Sequence, residues 1–169
     1  LVLKASIAAD EIVVLRAYAK YLRQIGFPLS QQYIETTLAA YPRVAGMLVR
    51  LFRLRFGLTE RDDAAAGSQV RAIEQALDKV PNASEDRVLR QYLALIQATM
   101  RTNFWRTGVG ASGAAGARRT FLSFKFDPKK IPGLPEPRPM FEIFVYSTRF
   151  EGVHLRGGKV ARGGLRWSD

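Results

Sequence analysis

The hydrophobic pattern of this chain changes period once, and that change limits the folds open to it. From Asp10 to about residue 103, apolar side chains recur every three or four positions, the spacing of helices that bury one face. From Thr120 onward they alternate or cluster in short runs, as strands do. Between the two lies GVGASGAAGARR, Gly108 to Arg119, with four glycines and Val109 as its one large apolar residue, which reads as a flexible connection. Helices first and strands afterwards predict an α+β chain. The expected division is a helical, bundle-like module over residues 1–107, a Gly/Ala-rich linker over 108–119, and a small, incomplete β-sheet over 120–169.

Local signals place the helices. Ile12, Leu15, Tyr18, Ala19, Leu22 and Ile25 form one stripe, with Asp10 placed to cap the segment and Gly26 to end it. Pro28 and Ser30 introduce a second helix bearing Tyr33, Ile34 and Leu38. Pro42 suits the first turn of a third, which stops at Gly57. Val70, Ile73, Leu77 and Val80 mark a fourth that ends at Pro81. Ser84, followed by Glu85 and Asp86, starts a fifth, on which Val88, Tyr92, Leu95, Ile96, Thr99 and Asn103 share a flank.

The second part predicts strands. Leu122, Phe124 and Phe126 alternate with Ser123 and Lys125, and five prolines between Pro128 and Pro139 enforce an irregular connection. Met140 to Ser147 is apolar apart from Glu142 and Ser147, so it predicts an inner strand covered on both faces. The sheet core is then expected from Leu122, Phe124, Phe126, Phe141, Ile143 and Val145. Val153–Arg156 and Lys159–Arg162 are expected to pair as a tight hairpin across Gly157 and Gly158.

Several chemistries are excluded by residue content. The chain has no cysteine and a single histidine, His154, so disulfide scaffolds, thiolate metal sites and histidine-based zinc or triad sites fall away. No run of 18 apolar residues and no secretory signal pattern occurs, which predicts a soluble protein of the reducing cytoplasm. A net charge of +11 calls for anionic company: nucleic acid, an acidic surface, or a small anionic substrate. Residues 118–169 hold 11 basic and 5 acidic side chains, so the excess is densest at the β-rich end.

That end, LRGGKVARGGLRWSD from Leu155 to Asp169, contains two Gly-Gly pairs among four cationic side chains. They are either two turns on a solvated basic edge or points where bare backbone N–H groups approach an anion. In the second case Arg162 and Arg166 supply charge-assisted bonds to a carboxylate or phosphate around Gly163 and Gly164. The stretch is not a Walker phosphate loop. The chain is read as lacking a dinucleotide fingerprint, and no nucleophile elbow or acid/base pair of carboxylates presents itself. An alternative takes Arg156-Gly157-Gly158 and Arg162-Gly163-Gly164 as RGG elements of a nucleic-acid-binding module. Their position directly after a hydrophobic strand speaks against it.

The segment FEIFVYSTRFEGVHLRGGKVARGGLRWSD resembles the opening of the catalytic domain of large bacterial NAD-specific glutamate dehydrogenases, as do the preceding FLSFKFDP and the proline-rich link. LRAYAKYLRQIGFPLSQQYIETTL is similar to the helical region ahead of catalysis in the same enzymes. The resemblance implies oxidative deamination of L-glutamate to 2-oxoglutarate and ammonium, with hydride passing to NAD, in a cytoplasmic homo-oligomer. It further implies that the sheet belongs to the substrate domain of an α/β dehydrogenase. The family's K-G-G-x-R motif holds the glutamate side-chain carboxylate. Gly163, Gly164 and Arg166 match it, and Arg162 stands where the smaller enzymes carry lysine. The catalytic lysine and aspartate and the NAD-binding segment are expected downstream of Asp169, so the fragment alone is expected to be inactive.

Overall fold

The computed structural model describes residues 7–57, 62–105, 108–109, 115–117, 121–158 and 165–167. The fold is α+β. Among the described residues five helices come first: α1 (Ala9–Gln24), α2 (Gln31–Ala40), α3 (Pro42–Phe56), α4 (Asp63–Leu77) and α5 (Ala83–Ala98). Strand β1 (Thr99–Thr102) continues directly from α5. It is followed by the short β2 (Gly108–Val109) and β3 (Ala115–Ala117), then β4 (Leu122–Phe126), β5 (Phe141–Tyr146), β6 (Glu151–Arg156) and β7 (Leu165–Trp167).

Most helix ends follow their local chemistry. Ser30 accepts the Tyr33 N–H at the start of α2, Pro42 opens α3 and Gly57 closes it. Gly26, at φ +76°, ends α1 in a Schellman turn, with Phe27 N–H on the Leu22 carbonyl and Gly26 N–H on that of Arg23. Three expectations are corrected. Helix α1 starts at Ala9 with Asp10 inside its first turn, and the Glu11 carboxylate accepts the Ala8 N–H. Helix α5 is capped by Asn82, whose Oδ1 accepts from both Ser84 and Glu85 N–H, so Ser84 lies within the helix. Finally, α5 stops at Ala98: Thr99 turns extended, and β1 takes the residues that helical spacing assigned to its last turn.

Strands β1, β4, β5, β6 and β7 form one antiparallel sheet in the order β1-β4-β5-β6-β7. The helices cover one face of it, and α1 lies directly against that face. Tyr18 stacks on Phe124 at 4.6 Å between ring centroids, while Tyr21 meets Phe126 at 4.4 Å and Phe144 at 5.5 Å. Phe52 of α3 and Tyr92 of α5 pack edge-on against Tyr18, so helices and sheet share one apolar core. Each such ring, fully buried, contributes on the order of 1.5–3 kcal/mol.

The sheet core is partly as expected. Leu122, Phe124 and Phe126 are buried, but on β5 the buried residues are Glu142, Phe144 and Tyr146. Phe141, Ile143 and Val145 are half-buried on the outer face. Register decides this: Phe124 pairs with Phe144, and directly opposed residues share a face. A run with apolar residues on both faces carries no period to choose between them. The proline-rich connection is irregular as predicted. It is pinned by buried Ile131 and Leu134 and by the Gln91 amide, which donates to the Pro132 carbonyl at 3.0 Å.

Candidate functional site

Of the four residues singled out by sequence, Arg166 lies on β7, at the edge of the sheet. Strand β6 is set by its neighbours. Val153, fully buried, sits opposite Phe144, and Glu151 receives Lys20 at 3.7 Å and Gln24 at 3.4 Å from α1. One strand further in, the Tyr21 hydroxyl donates to the buried Glu142 carboxylate at 2.5 Å. Helix α1 therefore grips the two strands that precede the glycine-rich segment.

Strand β7 pairs with β6 in the register Gly152 with Trp167, Val153 with Arg166, and His154 with Leu165. Arg166 is thereby placed on the edge strand opposite a core position. Arg162, Gly163 and Gly164 lie outside the described residues, as do most residues of the expected linker. Lys159 to Arg162, the expected second arm of the tight hairpin, lie outside the described residues as well; His154 pairs with Leu165, and neither Gly157 nor Gly158 adopts positive φ.

The expectation that no dinucleotide fingerprint occurs is corrected at the level of spacing. Gly108-Val109-Gly110-Ala111-Ser112-Gly113 does carry G-x-G-x-x-G. That spacing signals a dinucleotide site only where a parallel strand runs into a helix whose N-terminus meets the pyrophosphate. Here Gly108 and Val109 pair antiparallel with Ala117 and Ala115 in a two-stranded ribbon, so the context is wrong.

Among the described residues no group of three or more His, Asp or Glu side chains could hold a metal ion. None of their helices is long and apolar enough to cross a membrane. His154 is half-buried beside Ile143 and Leu165 in register, without an acidic neighbour on those two positions. Burial pushes the Tyr18 and Tyr92 hydroxyls far above the ordinary tyrosine range, and both are core groups. In the sequence Glu142 interrupts an apolar run. A lone acid in such a run is itself the signal of a buried partner.

Residues 72–169 match the family model for the catalytic domain of bacterial NAD-glutamate dehydrogenase. The chain belongs to the bacterial NAD-glutamate dehydrogenase family. Residues 1–58 match a second model, glutamate dehydrogenase helical motif 3, and the catalytic-domain match begins within α4. Similar proteins include NAD-specific glutamate dehydrogenases of Pseudomonas aeruginosa, 51% identical over 174 residues, and of Halomonas elongata, 48% identical over 170. That of Mycobacterium tuberculosis is 47% identical over 175 residues. Each alignment covers all of this chain and 10% of the relative, so the chain spans about a tenth of the length of these glutamate dehydrogenases.

Proposed function

We propose that the protein carrying this chain oxidatively deaminates L-glutamate to 2-oxoglutarate and ammonium with NAD, and that this chain supplies part of the glutamate pocket. The observation that supports it most is the catalytic-domain match over residues 72–169. In this reading residues 1–107 form the helical module, 108–119 the linker and 120–169 the start of the substrate-binding region. The protein works as a cytoplasmic homo-oligomer, a state that the solution mass of the full-length protein measures.

The residues assigned to glutamate are Arg162, Gly163, Gly164 and Arg166. A glycine pair without Cβ exposes backbone N–H groups to the side-chain carboxylate, and a guanidinium beside it supplies charge and directed donors. NAD does not fit the residues described. Their five-stranded sheet is wholly antiparallel, with no strand-to-helix crossover to receive a pyrophosphate. Dinucleotide binding is assigned to other parts of the protein.

The test is steady-state kinetics of the purified full-length protein, following NADH formation with L-glutamate. Glutamate-dependent NAD reduction is expected, with KM for glutamate raised in Gly164→Val. Absence of that activity in a folded preparation refutes the reading.

A further inference from the structure

The edge of the sheet opposite β7 carries a second cationic feature. Arg101 of β1 and Lys125 of β4 are directly paired in register. Like charges facing each other across an antiparallel pair repel, and a fold keeps such a pair at a cost unless something negative lies between. Neither side chain forms an ion pair among the described residues. Arg101 is exposed, and Lys125 rests its ammonium over the Phe141 ring at 3.8 Å to the centroid. A bulge between Thr99 and Arg101 shifts the β1 register just there, a device that re-aims side chains at the margins of sheets.

The two cations open onto a groove of about 530 Å³, within the size range of small-molecule sites. Phe56, Met100 and Ile143 give it an apolar lining, Ser123 adds a hydroxyl, and none of the described residues that line it is acidic. Met100 is 46% exposed, a large apolar side chain left uncovered beside the pair. In the sheet order β6 lies between the groove's β5 residue, Ile143, and Arg166 on β7.

We propose that the β1–β4 groove binds a small organic oxyanion of charge about −2, held between Arg101 and Lys125 with its carbon portion over Met100 and Ile143. Dicarboxylates and phosphate esters share this chemistry. The site is independent of the glutamate assignment and stands whether or not that assignment holds.

Isothermal titration of the full-length protein at low ionic strength tests it, using succinate and inorganic phosphate as separate probes and chloride as the control. Saturable binding of at least one probe is expected, weakened roughly tenfold or more in Arg101→Gln and in Lys125→Gln. Lys125→Arg should retain affinity to within about threefold, because charge and stacking survive. Tighter succinate binding assigns the site to dicarboxylates, and tighter phosphate binding to phosphate esters. Thermal unfolding guards against a folding defect: without probe, Arg101→Gln should melt no lower than wild type, since it relieves repulsion. Saturating probe should then raise the wild-type Tm more than that of Arg101→Gln. Lack of saturable binding of both probes, or binding indifferent to both Arg101→Gln and Lys125→Gln, overturns the proposal.

Discussion

The Tyr21 hydroxyl donates a 2.5 Å hydrogen bond to the Glu142 carboxylate, and both side chains are fully buried although 121 positions separate them in sequence. The bond joins α1 to the central strand β5. Tyr21→Phe removes a donor to a buried acid and should destabilise the fold by about 1.5–3 kcal/mol. Glu142→Gln, which still accepts from Tyr21, should cost less. Urea unfolding with an unchanged m-value checks the order, and equal loss in the two variants would contradict it.

Tyr18 gives the fold an alkaline limit. The Thr99 hydroxyl donates to the Leu95 carbonyl at 2.7 Å, so the Tyr18 hydroxyl must donate to Thr99 Oγ1 at 2.8 Å and has to keep its proton. Burial raises its pKa and that of Tyr92. A group whose folded pKa lies above its unfolded one contributes stability that is complete below the unfolded value, about pH 10 for tyrosine, and is lost as pH rises beyond it. Stability should therefore fall above about pH 10. Tyr18→Phe should lower that slope by about one proton, or roughly 1.4 kcal/mol per pH unit, in denaturant titrations between pH 9 and 12.

The two faces of β4 and β5 should differ in their tolerance. Phe124 is fully buried between Tyr18 and Phe52, so Phe124→Ala should cost about 3–5 kcal/mol. Ile143→Ala, on the half-buried outer face, should cost clearly less. Comparable midpoints for the two variants would show that the outer face is packed as tightly as the inner one.

The start of α5 offers a sharper comparison. Asn82→Ala deletes the acceptor for two backbone N–H groups and should cost about 1 kcal/mol. Ser84→Ala, inside the helix, should change stability by less than about 0.5 kcal/mol. Thermal melts of the two variants decide which residue is the cap.

In the proposed pocket, Gly164→Val and Arg162→Ala of the full-length protein should raise KM for glutamate about tenfold or more while leaving KM for NAD near wild type. Arg162→Lys should keep substantial activity if a cation alone is required. Wild-type KM and kcat in the first two variants would return the glycine pairs to ordinary turns.

Where one residue decides an element, the sequence was sufficient: Gly26, Ser30, Pro42 and Gly57 act through their own backbone or side chain. It was insufficient where two neighbours compete for one role, as Asn82 and Ser84 do, because both can accept a helix N–H. Thr99 to Thr102 continues the helical spacing of α5, and only pairing with Phe126, Lys125 and Phe124 makes those residues a strand. The inner face of β5 likewise depends on a tyrosine in α1 and cannot be read from β5 alone. The glutamate-binding motif was legible as a resemblance of residue types, whereas the paired Arg101 and Lys125 are 24 positions apart and meet only through sheet register.

Because α1 packs on β4 and β5, it leaves the ribosome well before the strands that cover it. When α5 has been synthesised, Tyr18 and Tyr21 still lack Phe124, Phe126, Phe144 and Glu142, and some 60 further residues must be added before β6 is complete. At about 5–20 residues per second, that leaves an aromatic stripe uncovered for roughly 3–12 s of every synthesis, a window in which a nascent chain is exposed to chaperones, proteases and neighbouring chains.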